Sequence, residues 1–388
     1  MASWQSYFFG DIVDLYQGLA INSKTKYLVS ETKTKTPLLR IKDLLENSEE
    51  IYIDSKNAPQ KSLVNRNDLV FTRTGQVGYV FMGRYGVLHN NCFRIVPRNN
   101  DLVLNEFLFY HFKVPGMKEF LTSISAGSVQ PDMNHKIFKT LKIQLPPLQE
   151  QRAIAEVLSS LDNKIELLQK QNETLEALAQ TLFRQWFIEE ADDSWEEAEL
   201  KTLGSIVCGK TPSKKMKEYF GGDIPFVKIP DMHNLTYVLD SSEHLSTQGS
   251  DSQINKLIPP DSVLVSCIAT VGVVSMNYSP CHTNQQINTI IPKSEVWTIY
   301  IYLLMKSLKP VLIQYASGGT ATMNLNTGQF SKLQVLSPPK ETLIKFNTVS
   351  RPLFKKIKQN LLSIRTLTQT RDTLLPKLMS GQVRVKLD

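Results

Sequence analysis

The sequence predicts a mixed α/β protein written twice in tandem. Two similar α/β units are each followed by a long helix, and the two helices form an antiparallel coiled coil about a pseudo-twofold axis. Three observations predict this: a repeat at half the chain length, β-rich runs between turn clusters in both halves, and two heptad stretches of some forty residues. In the 388-residue chain the repeat shows as landmarks in the same order. Trp4 and Gly10-Asp11-Ile12 answer Trp195 and Gly204-Ser205-Ile206, and "PLLRIKDL" (37–44) answers "PFVKIPDM" (225–232). "NDLVFTRTGQVG" (67–78) answers "PDSVLVSCIATVG" (260–272), and "HNN" (89–91) answers "TNQQ" (283–286). "SAGSVQPDMN" (125–134) answers "SGGTATMNLN" (317–326), and Pro146-Pro147 answers Pro338-Pro339. The shift drifts only from 188 to 195.

Within each unit, Leu69–Arg73, Cys92–Val96, Val263–Cys267 and Ile287–Ile291 read as strands, because they are β-branched or apolar runs bounded by Gly, Asn, Asp and Pro. A helix near Asn105–Thr122 and its counterpart near Trp297–Tyr315 complete the units. The first long helix carries a 4-3 spacing from Ile154 through Leu158, Leu161, Ile165, Leu168, Asn172 and Leu175 to Trp186. The second carries it from Leu343 through Phe346, Leu353, Ile357, Asn360, Ile364 and Arg371 to Leu378. Pro352 is expected to kink or restart the second helix, since it has no N–H and clashes with the preceding turn. The alternative is two separate helices, each packed on its own domain. Asn172 and Asn360 are the amides of the two seams. Pairing them antiparallel sets Leu168 against Ile364, Ile154 against Leu378 and Leu161 against Arg371; a buried polar pair fixes register at some cost in stability. The expected divisions are 1–145, 146–190, 191–336 and 337–388.

Charge supports a polyanionic partner. The net charge is +7 and the isoelectric point about 9.0. Residues 1–190 hold 22 Lys and Arg against 21 Asp and Glu (+1), and residues 191–388 hold 22 against 16 (+6). Cys92, Cys208, Cys267 and Cys281 have neither zinc-ribbon nor disulfide-framework spacing. The start lacks a signal-peptide pattern and no apolar run reaches membrane-spanning length, so a reduced, cytoplasmic protein without a membrane partner is expected.

Two similar domains on a rigid strut would read two DNA half-sites at a fixed spacing. Phosphate contacts need Lys, Arg and small polar donors, and base readout needs side chains that reach groove edges. Lys24, Lys26, Lys33, Lys35, Arg40 and Lys42 are mirrored by Lys210, Thr211, Lys214, Lys215, Lys217 and Lys228, each set before the same strand. Ordinary solvated loops are the alternative. Arg73, Thr74 and Gln76, with Ser266 and Thr270, sit where a strand enters a polar loop. Asn90 and Asn91, with Asn284, Gln285 and Gln286, are amide-rich as adenine readers would be. Ser128, Gln130 and Asn134, with Thr320, Asn324 and Asn326, precede the long helices and serve equally well as caps of the helix entry.

Catalysis is not expected here. The double prolines occur as "LPPL", "IPPD" and "SPPK", none followed by an aromatic residue as an adenine methyltransferase loop requires. Gly75-Gln76-Val77-Gly78 is too short for a dinucleotide fingerprint, and no GxxxxGK[ST] occurs. Pro131-Asp132 and Pro230-Asp231 lack a nearby Glu-x-Lys, and Cys281-His282 lacks further ligands.

"LPPLQEQRAIAEVLSSLDNKIELL", "LFRQWF", "SAGSVQPDMNHKIFKTLKIQLPPLQEQ", "GKTPSKKMKEYFGGDIPFVKIPDM" and the ending "LLPKLMSGQVRV" closely resemble the specificity (S) subunit of type I restriction–modification enzymes. The resemblance spans the whole chain. It implies target-recognition domains at 1–145 and 191–336, each reading one half of a split site in double-stranded DNA. The helices at 146–190 and 337–388 would space them and dock two methyltransferase (M) subunits, with restriction (R) subunits joining. It also implies no cofactor in this chain. S-adenosylmethionine would serve the M partners, which methylate adenine N6, and ATP with Mg2+ would serve the restriction complex. The departures lie in the recognition domains, where the first half has "GLAINSKTKYL" in place of GxTPS. Two other readings are a coiled-coil scaffold that binds only proteins, or a bipartite DNA-binding protein acting without restriction partners. A self-contained methyltransferase would have to bind cofactor alone.

Overall fold

The computed structural model describes residues 4–127, 129–317 and 323–386. It divides into two compact units, residues 1–164 with 367–388 and residues 165–366.

In the first unit, the alternating and continuous apolar runs pair as an antiparallel sheet. Its strand order is Val13–Gln17, Cys92–Pro97, Leu69–Thr72, Val80–Phe81. Phe93 lies opposite Phe71, and their rings stack at 5.0 Å. Phe9, Phe107, Phe112 and Phe138 close around that pair, so one aromatic cluster sets the sheet's inner face. A small sheet of Leu38–Leu39, Gly86–Leu88 and Leu63–Val64 stands beside it, and Gln5–Phe8 pairs with Lys142–Leu145.

The second unit repeats the plan. Gly204–Cys208, Ile287–Pro292, Val263–Ser266 and Val274–Asn277 follow in the same order, and Tyr237–Val238 adds a parallel edge. The small sheet here is His244–Leu245, Phe220–Val227 and His282–Thr283, and the terminal ribbon is Glu196–Glu199 with Gln334–Ser337.

The helices differ from expectation where proline and glycine intervene. The stretch expected near Asn105–Thr122 is two helices, Asn105–Phe112 and Met117–Ser123. Pro115 lies between them and Gly116 takes φ 81°, a conformation that glycine adopts without penalty. Its counterpart is Glu295–Ser307 and Lys309–Ala316, bent by 60° with Pro310 in the first turn of the latter. Trp297 to Met305 are buried, so this apolar pair is core; no single helix among the described residues is long and apolar enough to cross a membrane.

The central helix runs from Leu148 to Arg184 and ends in a π turn at Gln185–Glu189. The C-terminal helix runs from Lys340 to Met379 without restarting at Pro352. One backbone hydrogen bond is lost there, but Leu343, Phe346, Phe354 and Ile357 hold both flanks in the core.

Each unit contains its own stretch of the helix pair, and the stretches are not bare seams. In the first, Ile154 and Leu158 join Leu375 and Leu378 in the aromatic cluster, and Arg371 donates to Asp162 at 2.8 Å rather than facing only Leu161. In the second, Asn360 Nδ2 donates to Asn172 Oδ1 and to Gln171 Oε1, each at 2.8 Å. Trp186 and Phe187 pack on Phe346, so the two helices run antiparallel. Glu176 ties the central helix to the second unit's core, accepting from Thr236 at 2.5 Å and Tyr302 at 2.8 Å and pairing with Lys306. Burial alone would raise this carboxyl, but Lys306 and the hydrogen bonds outweigh it and hold it below its usual range.

Candidate nucleic-acid interface

The same four segments converge in both units, joined by the same backbone hydrogen bonds. In the first unit, Gly18 N–H donates to Cys92 O at 3.2 Å and Arg73 N–H to Asn91 O at 2.8 Å. Gly75 N–H donates to Pro131 O and Met133 N–H to Arg73 O, both at 2.8 Å. In the second unit the bonds are Gly209 to Ile287 at 3.0 Å, Cys267 to Gln286 at 2.8 Å, Ala269 to Met323 at 3.0 Å and Leu325 to Cys267 at 2.9 Å. The repeat is therefore a repeat of hydrogen bonds as well as of letters. Gly18 and Gly209 are required by close approach, because a Cβ would strike the carbonyls of His89 and Asn284.

The residues singled out from sequence sort by what holds them. Lys24, Lys26, Lys33, Lys35, Lys210, Lys214, Lys215 and Lys217 are exposed and have no ion pair among the described residues; Lys33 lies over the Tyr52 ring. Such lysines remain available to an anionic partner. Gln76, Gln130, Thr270, Gln285 and Asn324 are also exposed, and Thr211 donates to Gln285 at 2.6 Å. Asn90, Asn91 and Gln286 are half-buried at the junctions.

Others have internal partners, which corrects their expected availability. Arg40 donates to Asp43 at 2.7 Å and to Glu50 at 2.6 Å, and Lys42 donates to Glu50 at 2.6 Å. Lys228 pairs with Glu243. Arg73 forks onto Asp132 at 3.0 and 2.5 Å and reaches Gln17 at 2.9 Å; Thr74 adds a bond to Asp132 at 2.7 Å. Burial alone would raise the Asp132 carboxyl, but these donors outweigh it and hold it low. Ser266 is 0% exposed and accepts from Val273 N–H at 2.8 Å, so it faces no partner. Asn284 is buried too, its amide bonded to Gln286. Asn134 and Asn326 cap the short helices His135–Lys139 and Thr327–Ser331, not the long ones. Ser128 and Thr320 lie outside the described residues.

Sequence reasoning missed Gln17 and Asp132 as the holders of Arg73, and Gly18 and Gly209 as the pivots. The glycines align in the repeat and were open to discovery. The Arg73–Asp132 fork spans 59 residues, and no local pattern marks it. Burial pushes the thiols of Cys92, Cys267 and Cys281 up to about 12, so none is poised as a nucleophile.

Comparison with known proteins places these features in a family. A family model described as the type I restriction modification DNA specificity domain matches residues 1–177 and again 192–350. The chain is 31% identical to the type I restriction enzyme HindI specificity subunit of Haemophilus influenzae, over 99% of this chain and 100% of that one. It is 28% identical to the MjaIX specificity subunit of Methanocaldococcus jannaschii, over 90% and 87% of the two chains. Among solved structures, the S subunit of a type I restriction–modification system from M. genitalium has the same fold. Its TM-score is 0.67 at 16% identity, covering 99% of this chain and 97% of that one.

Proposed function

This chain belongs to the type I restriction–modification DNA specificity family, and from that premise we propose how its two units select a DNA sequence. The chain is the non-catalytic specificity subunit, and each unit reads one half of a bipartite, asymmetric site in double-stranded DNA. One observation carries the reading: the same hydrogen-bonded junction of four loops occurs in both units, and each unit also carries exposed lysines that have no ion pair among the described residues. In this reading the lysines bind phosphates and fix register, while Gln76, Asn90, Asn91, Gln130, Thr270, Gln285, Gln286 and Asn324 reach base edges. Arg73 and Thr74 act from their bonds to Asp132, as rigid parts of the reading surface.

The recognition domains are taken as 1–145 and 191–336. The helical segments 146–190 and 337–388 set the half-site spacing and dock two methyltransferase subunits, with restriction subunits completing the assembly in the cytoplasm. The unbroken helices Leu148–Arg184 and Lys340–Met379 support the spacing role. S-adenosylmethionine, and ATP with Mg2+, belong to those partners; the assembly is an adenine-N6 methyltransferase and, with restriction subunits, an ATP-dependent endonuclease.

The test is to replace residues 1–145 by those of another family member and sequence the methylated DNA. One half of the methylated motif changes and the other stays. A change in both halves, or methyl transfer by the purified single chain, overturns the reading.

A further inference from the structure

Tyr27 is the most exposed aromatic side chain among the described residues, at 76%. Its setting is rigid. Asn22 N–H donates to Thr25 Oγ1 and Lys24 N–H to Asn22 Oδ1, both at 2.9 Å, and Thr25 Oγ1 donates to Ala20 O at 2.6 Å. The next residue, Leu28, is buried with Leu38, Ile53 and Val87, so the turn cannot roll the ring inward. The turn leads into a 3-10 helix at Lys26–Leu28, and Lys24 and Lys26, three and one positions before Tyr27, are exposed and have no ion pair among the described residues. Phe120 and Tyr315, the next most exposed rings, have no lysine as sequence neighbour.

The second unit offers a related side chain at the same stage of its path. Met216, 40% exposed, lies between Lys215 and Lys217 and immediately precedes the 3-10 helix Lys217–Tyr219. Its N–H donates to Ser213 O and its carbonyl accepts from Tyr219 N–H, both at 3.1 Å. Each basic loop thus exposes one large side chain, the amphipathic Tyr27 ring or the apolar Met216, next in sequence to exposed lysines. An apolar side chain flanked by phosphate-binding lysines suits insertion against a base step, where it unstacks the bases and bends the duplex.

We propose that Tyr27 and Met216 are wedge residues, one per half-site, which pack against a base step and add readout through DNA deformability. The proposal rests on the DNA-reading role of the lysine-bearing loops and adds a function to two residues outside it. The experiment uses the full chain assembled with its methyltransferase partner and duplexes carrying 2-aminopurine at successive positions of each half-site. Unstacking raises the probe's fluorescence. Tyr27→Ala abolishes the rise at the wedge step of one half-site, while the rise from the adenine flipped by the methyltransferase stays, and it weakens binding about 5- to 150-fold, the span found when a base-stacking aromatic is removed. The slope of affinity against salt is unchanged, since no phosphate contact is lost. Tyr27→Phe keeps both signals, and Met216→Ala acts in the other half-site alone. Equal fluorescence and affinity for Tyr27→Ala and the wild type overturn the wedge. Lys24→Ala and Lys26→Ala then locate the error. If each weakens binding and lowers the salt slope by about 1, the DNA face stands and only the wedge falls. If neither does, the assignment of that face falls as well.

Discussion

Replacing both Asn172 and Asn360 by leucine tests whether the helix pair trades stability for register. Asn360 is 2% exposed and Asn172 9%, so both substitutions enter a closed site. Two hydrogen bonds are lost, from Asn360 Nδ2 to Asn172 and to Gln171. Each contributes about 0.5–1.5 kcal/mol net. Two leucine side chains gain about 1.5–3 kcal/mol each on burial. The double variant is therefore more stable by about 1–3 kcal/mol after repacking losses, which raises Tm by roughly 2–10 °C for a unit of this size. Asn360→Leu alone gains less than half of what the double variant gains, because the buried Asn172 carbonyl loses its donor at a cost of about 1–3 kcal/mol. Thermal unfolding of the two singles and the double gives the coupling, expected above about 0.5 kcal/mol for groups in contact. Methylation of sites with one base pair added to or removed from the spacer reports register, and the double variant tolerates more spacers. Additive effects in the melts, or a double variant less stable than wild type, refute the argument.

Two further substitutions probe the first unit. Asp132→Asn releases Arg73 and is expected to cost about 1–2 kcal/mol at neutral pH, by thermal melting. The Asp132 carboxyl is held low in the folded state, so its contribution is present above the unfolded value near ~4 and lost as pH falls through the folded one; the gap between variant and wild type closes in that acid range. Arg384→Ala strands the buried Glu150 carboxylate and removes the cation over Trp4. A loss of up to about 3–5 kcal/mol is expected, with the half-site read by the first unit affected more than the other; methylated-motif sequencing that shows equal loss in both would contradict it.

How much of this was legible in the sequence depended on the distance over which the signal travels. The duplication was legible because each landmark is a local string repeated once. The amide register was legible because heptad phase carries across a whole helix. The bends at Gly116 and Leu308 were not, since apolar spacing continues across them and hides the break. At Pro352 the expected restart does not occur, because its local penalty is outweighed by neighbours that only the folded core supplies. Charge availability was the least legible property. Lys42 and Lys24 look alike in sequence, but Glu50 is folded back against one and not the other. The sequence places Ser266 at the strand's end facing a polar loop, but its hydroxyl is turned inward to accept from Val273, which no local pattern marks.

The division of the chain has a consequence for its birth on the ribosome. The second unit is one continuous segment, 165–366, and is complete once Thr366 has emerged. The first unit contains residues 367–388, and its Glu150–Arg384 pair joins positions 234 apart. The half that is translated first is therefore finished last. At ~5–20 residues per second, Ile154 and Leu158 wait roughly ten seconds or more for Leu375 and Leu378 to cover them. During that interval an apolar helix face is open to chaperones or to a nascent partner. Chains stalled with Thr366 just outside the exit tunnel should resist protease across 165–366 while residues 1–164 are still cut; protection of both would show that the first unit closes without its own C-terminal piece.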